Sequence, residues 1–291
     1  MKKNYFALGI IFGLFVLTVL ASALQLPKKS SLPPPTQSSE PPLPSPTPTL
    51  TPQQLAEIRR KEFESWNQKY GPCKFVPILM YHHIMDPAIA KDISATYLNV
   101  PPNVFREQMD YLINKGYHII RLDEMVEGIR SSSLPGKPVV LTFDDGYSDF
   151  YDNVYPVLKE KGLKATVFVI SQFVGGERYL NWGQVKEMSD SGLVLVGDHS
   201  LNHISLQNLS KEEERNQIVS ARQVIEDHIK SQVEYFAYPY GGINPVAEGI
   251  LKEAGFKGAV VTTNSHPQCW GLPYQFSRIR IGAGSLSRYG L

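Results

Sequence analysis

The chain has 291 residues, enough for one or two domains, and 42% of them are hydrophobic, enough for a sizeable core. Its 29 Lys and Arg balance 28 Asp and Glu, so there is no basic excess and nucleic acid is not an expected partner. The 22 prolines are unevenly spread, and that unevenness is the first sign of how the chain is organised.

Residues 1–26 begin with Lys2 and Lys3, continue through an apolar run from Tyr5 to Leu20, and reach the small-x-small tripeptide Ala21-Ser22-Ala23. This pattern is that of a secretory signal peptide. Tyr5 to Leu24 is also 20 residues, about the hydrocarbon thickness of a bilayer, so a retained signal anchor fits equally well, with the cytoplasmic membrane as partner. Residues 27–52 are mostly Pro, Ser, Thr, Gln and Leu and read as an extended linker. Residues 53–72, with Leu55, Ile58, Phe63 and Trp66 among charges, read as a lead-in helix, and 73–291 as a single domain. The first 52 residues therefore predict a domain held outside the cytoplasmic membrane, tethered or secreted. Cys73 and Cys269 leave two readings open, a disulfide across the domain or two free thiols.

Within the domain, β-branched runs alternate with helical periodicity. Strands are predicted at Val76–Met80, His118–Arg121, Val139–Phe143, Ala165–Ile170, Leu193–Gly197, Tyr235–Tyr238 and Gly258–Thr262. Helices are predicted at Asn103–Lys115, Asn153–Lys161, Trp182–Asp190, Lys211–Ile229 and Pro245–Ala254. Ser210 and Glu213 form a capping box before the fourth helix, and Gly255 suits the left-handed end of the fifth. Such alternation predicts an α/β fold, a barrel-like (β/α) arrangement of about seven units, with its chemistry just beyond the strand ends.

The strand ends carry suggestive groups. Asp144-Asp145-Gly146 follows the third strand; alone, it is more often a polar turn. Asp198-His199-Ser200-Leu201-Asn202-His203 follows the fifth, and histidines four apart can share a face of a helical turn and jointly ligate a metal. One Asp and two His make the three-ligand set of an open catalytic metal site. Tyr238-Pro239-Tyr240-Gly241-Gly242 makes an irregular loop whose amides could face an oxyanion, and Met80-Tyr81-His82-His83 adds imidazoles at the same rim. Trp182, Tyr179 and Tyr240 are candidates to line a sugar groove, with core packing the competing reading for Trp182.

Taken together, Thr142-Phe143-Asp144-Asp145-Gly146, His199-Ser200-x-x-His203 and Phe236-Ala237-Tyr238-Pro239-Tyr240-Gly241 resemble the successive motifs of the polysaccharide deacetylases that share the NodB homology domain, carbohydrate esterase family 4. Pro77 to His82, Lys164 to Phe168 and Arg278-Ile279 resemble its poly-N-acetylglucosamine deacetylase branch. The resemblance implies a distorted (β/α) barrel and an N-acetylated polysaccharide substrate. It implies a divalent metal, most commonly zinc with nickel, cobalt or iron as alternatives, on Asp145, His199 and His203. Asp144 would be the general base, the Tyr240 amide an oxyanion donor and His82 the general acid. Ala237 stands where many relatives carry the Arg that orients the base, a role Arg278 is expected to take. The family's C-terminal Leu-x-His is missing, and His266 lies in a loop where it is expected to be incidental. An O-acetyl esterase with the same metal centre, or a catalytically silent glycan-binding protein, are the competing functions.

Overall fold

A computed structural model describes residues 51–263 and 267–291. The predicted leader (1–26), nearly all of the linker and His266 lie outside the described residues. Among the described residues, no helix is long and apolar enough to cross a membrane.

The strands are β1 (Cys73–Lys74), β2 (Ile78–Tyr81), β3 (His118–Ile120), β4 (Pro138–Phe143), β5 (Ala165–Val169), β6 (Val194–Asp198), β7 (Tyr235–Ala237), β8 (Gly258–Val260), β9 (Gln268–Cys269) and β10 (Ile279–Arg280). The main sheet runs β10-β2-β4-β5-β6-β7-β8, all parallel, with β3 beside the start of β4. Val260 bridges to Phe276, and Ile279 pairs with Leu79. The segment entering β10 thus links the sheet's two edges, giving a distorted (β/α) barrel. Central strands covered by helices must be apolar on both faces. Accordingly Val139, Val140, Leu141, Phe143 and every residue of β5 are buried. Gly197 in β6 is required by packing, because a Cβ there would stand 2.4 Å from Phe168 Cδ1.

The capping boxes form as local chemistry dictates. Ser210 accepts from the Glu213 amide at 3.3 Å while Glu213 accepts from the Ser210 amide at 2.8 Å. The helix they open is not continuous, however. A π-turn at Asn216–Ser220 separates Lys211–Arg215 from Ala221–Ile229. A helix at Leu122–Ser131, absent from the sequence reading, buries Leu122, Met125, Val126 and Ile129.

The lead-in helix spans Pro52–Tyr70 and is capped by Thr51. Just beyond it, β1 pairs antiparallel with β9, and Cys73 is bonded to Cys269 across 196 residues. Closing so long a loop removes unfolded-state entropy, typically stabilising by about 2–4 kcal/mol. Reduction, or the double Cys73→Ser/Cys269→Ser change, is expected to lower the melting temperature by roughly 5–15 °C for a domain of this size. An unchanged melting temperature would show the bridge contributes nothing to stability.

Candidate active site

Four strand ends converge on one rim. β4 delivers Asp144 and Asp145, β6 delivers His199, β7 delivers the Tyr238–Gly242 loop, and β2 delivers His82. Asp145 and Gly146 adopt left-handed backbones in succession, φ 74° and 73°, so the chain turns sharply and the two carboxylates meet different surroundings. A side chain on Gly146 would also crowd Val169, at 3.0 Å from Cγ1.

Asp145 Oδ1 lies 3.3 Å from His199 Nε2 and 3.3 Å from His203 Nε2. The contacts are close enough for attraction but lack hydrogen-bond geometry, which leaves Oδ1 a buried acceptor without a donor. One ligand atom from each of the three residues lies within 4.8 Å of the others. His199 Nδ1 is 2.7 Å from the Ala237 carbonyl. A carbonyl only accepts, so Nδ1 carries a hydrogen and Nε2 is the ring atom turned toward Asp145. An orphaned carboxylate oxygen between two inward imidazole nitrogens is a donor set that fits a divalent cation. Burial opposes the Asp145 charge, but the adjacent His199 outweighs it and holds the carboxyl well below the usual range.

The His199–His203 segment differs from expectation. It is not a helical turn, since Ser200 and His203 take φ 69° and 60°. Short polar side chains compete with the helix here. Asp198 Oδ1 accepts from the Ser200 amide at 2.8 Å, and Ser200 Oγ accepts from the His203 amide at 3.0 Å. Beneath the loop, Gln217, presented by the π-turn, accepts from the Asn202 amide at 3.3 Å. The imidazoles still converge, by local turns instead of helical periodicity.

Asp144 sits in a different environment. Arg278, fully buried, donates from Nη1 to Oδ1 at 2.6 Å and from Nη2 to Oδ2 at 2.7 Å. Its Nε donates to the Val261 carbonyl at 3.0 Å and Nη1 also reaches Thr142 Oγ1 at 3.2 Å, so the guanidinium is locked on both sides. Burial pushes the Asp144 carboxyl up, and Arg278 more than offsets it, keeping the pKa below its ordinary value. Burial also lowers the His82 pKa, against the pull of Asp144 and Asp145. Tyr240 is exposed with φ 58°, its ring edge-on to His203 at 4.6 Å.

Of the two readings open for Trp182, packing is the one realised. Trp182 does not face the rim; it stacks at 3.9 Å on His228, packing helix against helix. His83 and Asp149, to which the sequence assigns no role, form a buried pair. His83 Nδ1 is 2.7 Å from Asp149 Oδ2, and Asp149 Oδ1 accepts from the Ile84 amide at 3.2 Å. This clamp pins the turn that carries His82. The doublet His82-His83 and the third acid after Asp144-Asp145 were the visible signals.

Residues 131–259 match the family described as polysaccharide deacetylase. The chain carries a polysaccharide deacetylase domain. Over 250 residues it is 28% identical to YxkH of Bacillus subtilis (strain 168), a protein named for a polysaccharide deacetylase, covering 85% of this chain and 86% of that one. It is 27% identical over 172 residues to the poly-beta-1,6-N-acetyl-D-glucosamine N-deacetylase of Staphylococcus aureus (strain MSSA476), covering 55% of this chain and 59% of that enzyme. The Streptococcus pyogenes deacetylase PplD, solved with acetate, superposes with a TM-score of 0.69 at 29% identity, over 75% of this chain and 97% of PplD. The deacetylase is accordingly a hydrolase.

Proposed function

We propose that this deacetylase removes N-acetyl groups from an amino-sugar polymer outside the cytoplasmic membrane, with a divalent cation held by Asp145, His199 and His203. One observation carries the reading: two adjacent buried carboxylates have opposite partners. Asp145 Oδ1 faces two imidazole nitrogens without a hydrogen bond, while both oxygens of Asp144 are gripped by Arg278. Adjacent carboxylates placed in such different environments are suited to separate roles.

Zinc suits this mixed nitrogen and oxygen donor set, with nickel, cobalt or iron as alternatives, and when bound it supplies a Lewis acid that makes water nucleophilic near neutral pH. Asp144, kept ionised by Arg278, accepts the proton of the attacking water. In this reading the Tyr240 amide donates to the developing oxyanion, a contact typically worth about 3 kcal/mol. His82 gives a proton to the departing amine, and a pKa lowered by burial makes its protonated form a stronger acid. The relatives named for poly-beta-1,6-N-acetyl-D-glucosamine deacetylation support that polymer as substrate, with a peptidoglycan-like polymer as the alternative. The disulfide favours an oxidising compartment beyond the membrane.

The test is acetate release from poly-N-acetylglucosamine, peptidoglycan, chitin oligomers and acetyl-xylan, alongside metal analysis. The expected outcome is about one equivalent of divalent metal per chain, loss of metal and activity on chelation, and recovery of both on adding zinc. Faster release from acetyl-xylan than from every N-acetylated polymer would replace this reading with an O-acetyl esterase.

A further inference from the structure

Beside the Asp145 cluster lies a cleft of about 520 Å³ that the proposed chemistry does not use. Its size falls within the range of small-molecule sites. His83, Leu98, Tyr147, Glu177, Arg178 and Tyr179 line it. The wall is an aromatic stack: His83 lies on Tyr147 at 3.7 Å with 21° between planes, and Tyr147 meets Tyr179 at 5.2 Å. The stack is rigid, because Asp149 holds His83 and a backbone bridge joins Tyr147 to Tyr179. It is also bolted to the catalytic turn. The Leu180 amide donates to the Gly146 carbonyl at 2.9 Å and the Ser148 amide to the Arg178 carbonyl at 2.8 Å.

We propose that this cleft is a subsite for a pyranose neighbouring the residue that loses its acetyl group. The inference rests on the amino-sugar reading of the active site. Aromatic rings present apolar surface with polar tips, which suits a ring having apolar C–H faces and a hydroxyl rim. The mouth carries Glu177 and Arg178 side by side, both exposed, so it presents no net charge. That balance fits a neutral sugar of an N-acetylated chain and not a polyanion. Because the wall is continuous with the Asp144–Gly146 turn, sugar bound in the cleft helps to seat the reacting acetamide, and binding energy from the remote sugar appears in turnover.

The experiment compares acetate release from the longest and the shortest N-acetylglucosamine oligomers that the wild-type enzyme turns over, in wild type, Tyr179→Ala and Tyr179→Phe. Tyr179→Ala is expected to cut the long-to-short ratio of kcat/KM about tenfold, with Tyr179→Phe keeping most of it. A ratio unchanged in Tyr179→Ala, or an equal loss on both oligomers, overturns the subsite. Calorimetric binding of the long oligomer to Asp144→Asn, with and without Tyr179→Ala, separates the two readings. Tyr179-dependent binding without acetate release by wild type would keep the subsite and reject the amino-sugar deacetylase. Binding equal in both proteins would reject the subsite.

Discussion

Asp144→Asn is expected to retain the divalent metal and lose activity by about 100- to 10,000-fold, the usual weight of a positioned general base. Asp145→Ala and His199→Ala are expected to lose metal and activity together. The contrast follows from the partners. Asp145 offers a buried oxygen with no hydrogen bond between two imidazoles, so its removal dismantles a ligand set. Asp144 offers no such oxygen, as Arg278 occupies both. An amide at position 144 fills the same space, but it cannot take a proton and forms a weaker pair with Arg278. Metal analysis and acetate release on the three variants are the measurement. Full activity in Asp144→Asn would remove it from the role of base, and metal-free Asp144→Asn would merge the two carboxylates into one function.

Arg278→Met is expected to be the most damaging single change to stability. It leaves a carboxylate buried without a cation, a loss of about 3–5 kcal/mol. For a domain this size the melting temperature falls by roughly 10 °C. Arg278→Lys keeps a charge but not the two parallel bonds or the contact to Val261, so it is expected to fold while kcat drops more than KM changes. Thermal unfolding of both variants, with kcat and KM for Arg278→Lys, checks this. Arg278→Lys with wild-type kcat would reduce Arg278 to a structural residue.

The parts of the fold that could be read from residues alone are those encoded locally. Strands β4, β5 and β6 are mostly apolar, β-branched runs, and Ser210 with Glu213 is a signal three residues apart. Asp144-Asp145-Gly146 and His199 to His203 are visible because each is short and sits after such a run. The helix at Leu122–Ser131 has apolar residues at helical spacing, but it follows directly on the strand signal of His118–Arg121 with no turn between them to mark its start. The imidazole pair had helical spacing, yet Asp198 and Ser200 satisfied the backbone by turns instead. Other contacts have no local signature. Arg278 and Asp144 are 134 residues apart, and Cys73 and Cys269 are 196 apart. The Tyr147–Tyr179 wall depends on a bridge between two loops. Only tertiary structure brings such pairs together.

The Cys73–Cys269 bond also sets where mechanical load enters the domain. Tension drawn along the backbone from residue 51 meets Cys73 before it meets Ile78 of β2. The covalent link shunts that tension into β9, at the end of the barrel where the strands begin. The segment from β2 onward, including His82 and the turn pinned by Asp149, then lies inside a closed loop and carries little of it. A pull from the N-terminal side can move the barrel as a body without stretching the strand that leads to His82.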